Sequence, residues 1–351
     1  MFKGKRVLVT GNTGFKGSWL CLWLNRLGAD VYGFALPSKN KDSNFNICHV
    51  KDEITQMYGD VRASVIRSYI EDIKPEFIFH LAAQPIVLES FKDPAYTFET
   101  NVMGTVNVLN AARDVDCLKS IVVVTSDKCY KDTSDILNED DSLGGDDPYS
   151  ASKACEDIIA SSFYKSFFEE KGIGLSTVRA GNVVGGGDVG LYRIVPDCIK
   201  AIDSGENIKI RNPKYIRPWQ YVLEPLYGYL KLAAYMYEDP KKFSSAWNFG
   251  PEDKTWVTVY DLAKLLIDNA RDLYGKTDSS IDLFKYSSSE KEKSFLSIDS
   301  SKAGALLGVK NLLDTEELGR FVIEDYFCSG DIREQRLNRI EQYEEKVINE
   351  M

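Results

Sequence analysis

Two groups of reactive side chains stand close together in this 351-residue chain. The first is Thr125-Ser126-Asp127-Lys128, which ends the apolar run Ile121-Val122-Val123-Val124. The second is Tyr149 and Lys153, four apart just after Pro148. Proline suits the first turn of a helix, and residues four apart share one helical face. A tyrosine acts as a base near neutral pH only if its phenolate is stabilised, and a lysine one turn away does that. Together the two groups offer a hydroxyl, a carboxyl, two amines and a phenol. That is more proton-transfer equipment than simple alcohol oxidation needs.

These residues need a frame. A strand buried on both faces reads as a continuous β-branched run, and ligands of open α/β sheets sit beyond the strands' carboxyl ends. Ser126, Asp127 and Lys128 are therefore expected at the mouth of a site. At the amino end, Val7-Leu8-Val9-Thr10 reads as a strand and Ser18 to Leu24 as a helix. Between them lie Gly11, Asn12, Thr13, Gly14, Phe15, Lys16 and Gly17. Glycines three apart in such a turn let the backbone approach a pyrophosphate, and the helix's amino end supplies N–H donors. The second strand, Asp30 to Leu36, runs into Pro37-Ser38-Lys39-Asn40 rather than into the acid that takes a ribose 2′-hydroxyl. Lys39 suits a 2′-phosphate or a solvated loop, so these residues leave NAD and NADP open. Gly59 to Arg62 closes a third strand, where Asp60 is a candidate for the adenine amino group or a helix cap. Phe77 to Pro85 is a fourth strand running into small residues that admit a cofactor. His80 within it reads as a core histidine. Asp93 to Arg113 reads as a long helix covering the sheet. The alternation predicts an α/β fold with a doubly wound parallel sheet.

Past the central stretch, Ser150 to Glu170 reads as a helix, with Phe163, Phe167 and Phe168 as core contacts. Leu175 to Arg179 reads as a strand. The small residues of Ala180 to Asp188 suggest a floor for a ligand, with Asn182 as its polar contact. The pattern then changes. Arg193, Lys209, Arg211 and Arg217 stand near short strands in a chain of net charge −10. Arginines offer paired donors to phosphate oxygens, so the group suggests a diphosphate clamp, with surface ion pairing as the alternative. Helices are expected over Glu224 to Met236, Thr258 to Tyr274 and Thr315 to Phe327, and a strand at Trp247 to Gly250. Glu290 to Lys293 reads as a solvated mixed-charge run. The tail from Asp331 to Met351 is a charged helix candidate with no assigned function. Residues 1–188 are expected to form the main cofactor domain. Residues 189–351 would form a smaller mixed α/β substrate domain, with the chain crossing back over about 220–250.

Composition narrows the classes. Apolar residues make up 44% and charged residues 27%, as in a globular protein. The negative net charge disfavours nucleic acid and anionic membranes as partners. Seven cysteines without a C-x-x-C pair fit free thiols in a reducing compartment. Two histidines, not spaced as metal ligands, argue against zinc. The first apolar run is too short for a signal peptide, and none reaches membrane-spanning length. A cytoplasmic protein is expected.

The glycine turn and Tyr149-x-x-x-Lys153 resemble the extended short-chain dehydrogenase/reductases over nearly the whole chain. Within that group the sequence is most similar to the CDP-glucose 4,6-dehydratases. The motifs that carry this are Gly14 to Trp19, His80 to Pro85, Thr100 to Thr105, Thr125 to Tyr130, Arg179 to Asp188 and Ile216 to Gln220. The resemblance implies bound NAD, held by Gly11 to Gly17, Asp60, Val61, Leu81, Ala82, Ala83, Gln84, Asn101, Tyr149 and Lys153. It implies a nucleotide-diphosphate sugar, CDP-glucose first, on Gln84, Ser126, Asn182, Arg193, Lys209, Arg211, Arg217 and Gln220. It also implies a homodimer through the helices 94–113 and 149–170. The implied chemistry oxidises the sugar at C4, eliminates water across C5 and C6 with Lys128 as base and Asp127 as acid, and then reduces C6. Three departures stand out. Lys131 to Asp141 lacks an aromatic Trp-Gly-Tyr-Arg segment, Val189 replaces Trp, and Tyr221 replaces His. All three are expected to border the substrate. The competing readings are a 4-epimerase, which has no use for an Asp127–Lys128 pair, and an NAD-sensing module without turnover.

Overall fold

The computed structural model describes residues 1–131, 136–251, 257–276, 278–283 and 295–350. Seven parallel strands form its main sheet: β1 (Arg6–Thr10), β2 (Asp30–Ala35), β3 (Thr55–Tyr58), β4 (Phe77–His80), β5 (Ser120–Val124), β6 (Gly174–Ala180) and β7 (Ala246–Phe249). Their spatial order is β7-β6-β5-β4-β1-β2-β3. The order reverses beside β1, and such a reversal opens a crevice at the carboxyl ends of the neighbouring strands. The register is tight there: Val9 pairs with Phe79, and Phe79 with Val122.

The longer helices are α1 (Phe15–Arg26), α2 (Val65–Ile73), α3 (Gly104–Ala112), α4 (Pro148–Phe163), α5 (Ile194–Ser204), α6 (Leu223–Glu238), α7 (Val259–Tyr274), α8 (Thr315–Phe327) and α9 (Ile332–Glu350). Side chains alternate across a strand, so each strand feeds two cores. Val7, Val9, Phe77, Phe79, Val122 and Val178 pack with α1 and α6 on one side. Leu8, Ile78, Ile121, Val123 and Leu175 pack with α2, α3 and α4 on the other. Each such fully buried aliphatic side chain contributes about 1.5–3 kcal/mol relative to exposure. The doubly wound parallel sheet is as the sequence predicts.

The long helix expected over 93–113 runs as Pro94–Phe98, a wide π-helical turn at Glu99–Met103, and α3. That over 150–170 is α4 followed by a second such turn, Tyr164–Phe168. The remaining strands are short. Ile208–Ile210 pairs with Ile281–Leu283, and Val183–Val184 with Gln220–Tyr221, both parallel. The charged tail is indeed helical, as α9, and packs against α1. The mixed-charge run at 290–293 lies outside the described residues, as do 132–135 of the loop that departs from the family pattern. Among the described residues no helix is long and apolar enough to cross a membrane.

Candidate active site

The strand ends at β1, β4, β5 and β6 open into one cleft of about 1370 Å³. Its cofactor side is built by backbone. Gly11 has φ +70°, and a Cβ there would meet the Ala82 nitrogen at 2.6 Å. A Cβ on Gly17 would collide with the Gly11 carbonyl oxygen. Gly14 caps α1 with no side-chain hydrogen bond, so the first N–H groups of the helix face the cleft unclaimed by a cap. A cradle with no room for side chains, at a helix's positive end, fits the pyrophosphate of a dinucleotide. Thr13, Phe15, Lys16, Asp60, Val61, Leu81, Ala82 and Ala83 also line it. Asp60 accepts from the Arg62 guanidinium at 2.8 to 3.1 Å and from its backbone N–H at 2.9 Å, and these bonds keep its carboxyl below the usual range. Lys39 is exposed and does not line the cleft.

Four expected ligand residues lie behind the wall instead. Asn12 is buried and donates to Gln56 Oε1 at 2.5 Å. Asn101 accepts from the Gln84 backbone at 2.7 Å and donates to Ser152 Oγ at 2.8 Å. Gln84 donates to Thr97 and accepts from the Ile86 N–H. Gln220 donates to the Phe249 carbonyl at 2.9 Å. All four are buried polar groups that meet neighbouring strands, helices and loops, while Asn12 Oδ1 and Gln220 Oε1 have no hydrogen-bond partner among the described residues. They hold the walls of the cleft rather than line it. His80 belongs to the same layer, as expected. Thr105 Oγ1 donates to the Asn101 carbonyl and so accepts from Nε2–H at 3.1 Å, which leaves Nδ1 to accept from Thr10 Oγ1 at 2.7 Å. Burial lowers the His80 pKa to about 3, so it stays neutral.

The reactive groups converge at the ends of β5 and α4. After β5 the chain makes a single 3-10 turn, Asp127–Cys129, capped by Ser126 Oγ accepting from the Lys128 N–H at 3.2 Å. Ser126 Oγ donates to Asp127 Oδ1 at 3.0 Å, while Asp127 Oδ2 is buried without a partner. Burial raises the Asp127 pKa against the pull of Lys128 and Ser126. A carboxyl in that state is equipped to hold and give a proton. Pro148 opens α4 and Asp147 caps it, accepting from the Ser150 N–H at 2.9 Å. Tyr149 is thereby fixed in the cleft. Burial raises its pKa, and Lys153 and a hydrogen bond with Ser126 lower it. Lys153 Nζ donates to the Val124 carbonyl at 3.1 Å and to both Glu156 oxygens at 2.9 and 3.0 Å. Glu156 is absent from the motifs that point to the site, although its spacing of three from Lys153 on one helix is the signal that could have found it. Beneath the turn, Tyr130 donates to Asn248 at 2.7 Å and accepts from Arg179 at 2.8 Å, and Arg179 pairs with Asp157 at 3.0 Å. This buried network anchors the turn to β6 and β7.

Asn182, Arg193, Lys209, Arg211 and Arg217 also line the cleft. Arg193 is held by Asp188 at 2.9 Å, and Arg217 lies over the Tyr215 ring at 5.2 Å. Lys16 reaches inward over the Tyr229 ring at 5.7 Å. Burial, with Lys153 and Arg193 nearby, lowers its pKa to about 7. Two departures from the family pattern do not border the cleft. Val189 is not in its lining. Tyr221 is fully buried and donates to Asp325 at 2.7 Å, because the strand Gln220–Tyr221 points it down toward α8.

Strand order, glycine turn and the Tyr149–Lys153 pair together define an extended short-chain dehydrogenase/reductase. Within that class the chain belongs to the GDP-mannose 4,6 dehydratase family, whose pattern matches residues 8–320. It is 44% identical to the CDP-glucose 4,6-dehydratase of Salmonella typhimurium over 330 residues, covering 92% of this chain and 90% of that one. Among solved structures, UDP-glucose 4-epimerase of Thermotoga maritima with UDP-glucose matches with a TM-score of 0.77 at 21% identity, covering 91% and 97% of the two chains. UDP-glucuronic acid 4-epimerase of Bacillus cereus, in complex with UDP-glucuronic acid and NAD, gives a TM-score of 0.76 at 20% identity, covering 95% and 99%.

Proposed function

We propose that this protein is a nucleotide-sugar 4,6-dehydratase that converts CDP-D-glucose to CDP-4-dehydro-6-deoxy-D-glucose and water. The observation that carries this reading is the Asp127–Lys128 turn, which faces the cleft beside Ser126 and Tyr149. An epimerase needs the phenol and its lysine but no further acid and base. The likeness to the Salmonella typhimurium enzyme supports CDP-glucose as the substrate.

The glycine cradle, Asp60, Val61 and Leu81 to Ala83 would hold NAD. NAD bound there would supply the hydride acceptor for oxidation at sugar C4 and the hydride donor for reduction at C6. Tyr149 takes the C4 hydroxyl proton, and Ser126 orients that hydroxyl. The resulting ketone acidifies the C5 hydrogen. Lys128 then removes the C5 proton while Asp127 protonates the departing C6 hydroxyl, and as C6 is reduced a proton returns to C5. Arg193, Lys209, Arg211 and Arg217 place positive charge where the diphosphate would lie. Residues 1–188 serve the cofactor and 189–351 mainly the sugar nucleotide, with 220–250 returning to the first unit. The pairing of β7 with β6 supports that return.

Incubation with CDP-glucose and mass analysis of the sugar nucleotide tests the function. A product lighter by one water is expected. An isomer of unchanged mass would transfer the protein to the epimerases, and unchanged substrate despite bound NAD would favour a sensing module. We also infer a homodimer. Phe98, Met103, Ile158 and Phe167 expose large apolar groups on the two helical stretches 94–113 and 149–170. Light scattering should give twice the chain mass, and a single-chain mass would reject the pairing.

A further inference from the structure

The inward side of α4 carries an ionisable group that the proposed reaction does not use. Glu156 is 1% exposed and lies three residues beyond Lys153 on the same helix. Lys153 is equally enclosed, at 3%. Three oxygens surround its Nζ: the Val124 carbonyl at the end of β5, and both oxygens of Glu156. They match the three hydrogens of an ammonium. An ion pair this deep is not held for surface solvation, and it stands one turn from the phenol that Lys153 serves.

We propose that Glu156 is a positioning residue for the Tyr149–Lys153 pair: it fixes the Lys153 ammonium against Val124 and, by sharing its charge, sets how strongly Lys153 draws the phenol toward ionisation. The inference rests on the dehydratase reading only in giving Tyr149 the role of base. The surrounding charges agree with it. Along α4, Asp157 is next to Glu156 but is occupied by Arg179 and Thr177 of β6. From β4 comes His80, which burial keeps neutral, from α1 comes Lys16, from the start of α5 comes Arg193, whose charge reaches Tyr149, and from α6 comes Tyr229, whose phenol burial keeps neutral. From the turn after β5, Asp127 opposes ionisation of Tyr149, as Glu156 does, while Lys153 and Ser126 favour it. Burial pushes Glu156 itself up to about 7, against the pull of Lys153. Its charge is therefore present in the alkaline part of the working range and fades below it. Where it is present, it offsets part of the lysine's help to the phenol.

Glutamine keeps the size and a hydrogen bond but not the charge. Tyrosinate absorbance is titrated in the NAD-loaded protein and in its Tyr149→Phe counterpart, and the difference isolates this phenol. The same pair of titrations is made in Glu156→Gln and in Glu156→Asp. In the Gln protein Tyr149 should titrate about one pH unit lower, the size of shift a close charge produces. In the Asp protein, which keeps the charge, it should stay close to the native midpoint. A Gln midpoint equal to the native one, or an Asp midpoint shifted as far as the Gln one, overturns the inference. The acid limb of kcat/KM for CDP-glucose should move down with the Gln midpoint; an even loss of rate at every pH would mark a merely structural residue. Native protein that titrates as described but turns over no nucleotide sugar would sink the dehydratase reading and leave this inference standing.

Discussion

A Lys128→Met protein is expected to oxidise its sugar nucleotide at C4 yet release almost no 4-keto-6-deoxy product. A positioned general base contributes about 10²–10⁴-fold, so product formation should fall by that range. The separation of the two steps follows from the geometry. Tyr149 and its ammonium partner belong to α4, whereas Lys128 belongs to the turn after β5, and methionine fills its space without disturbing the Ser126 cap, which uses the Lys128 backbone. In a single turnover, absorbance of the reduced nicotinamide should rise and persist instead of decaying. Deuterium from heavy water should fail to enter at C5. Full product formation by this variant would remove Lys128 from the elimination, and loss of the absorbance rise would mean that the residue also serves the first step.

Much of this site is legible in the amino-acid sequence. Short motifs suffice where chemistry depends on spacing along one element. Tyr149 and Lys153 share a helical face by arithmetic, and Gly11, Gly14 and Gly17 mark a turn with no room for side chains. Two kinds of information do not follow from spacing. The first is orientation within a motif. Asn101 and Gln84 stand in motifs that carry the family resemblance, but the π-helical turn at Glu99–Met103 leads Asn101 beneath the Gln84 backbone and away from the cleft. Nothing in residue type separates a polar group that meets a ligand from one that meets a loop. The second is the partner far along the chain. Tyr221 is expected to border the sugar because a histidine usually stands there. Its real neighbour, Asp325, is 104 positions away, and no local pattern announces such a pairing. The charged tail escapes assignment for the same reason: its inward arginines have meaning through α8 and through Asn44 and Trp19, all far along the chain.

That tail supports the second large effect. Arg336 on α9 is 1% exposed. It pairs with Asp325 Oδ1 at 3.2 Å, donates to the Asp325 carbonyl at 2.9 Å and to Asn44 Oδ1 at 3.1 Å, and lies over the Trp19 ring at 5.2 Å. Asp325 Oδ2 in turn accepts from the Gly186 N–H at 2.9 Å and from Tyr221. Replacing Arg336 by methionine leaves a buried carboxylate with only the more distant Arg339, at 3.5 Å, for a cation. Breaking one side of such a pair costs about 3–5 kcal/mol, whereas replacing both sides by neutral groups is often far cheaper. Urea unfolding should therefore show a loss of that size for Arg336→Met, and the double variant Arg336→Met/Asp325→Asn should recover much of it. Additive losses would mean that the two groups do not act as a pair. The same contacts predict a functional signature. Gly186 belongs to the segment that ends in Asp188, and Asp188 holds Arg193 at the cleft. Loosening that segment should raise KM for the sugar nucleotide more than it lowers kcat, because Arg193 lines the cleft with the other cations, while its charge also reaches Tyr149. An unchanged KM in a destabilised Arg336→Met protein would show that α9 supports the fold without reaching the site.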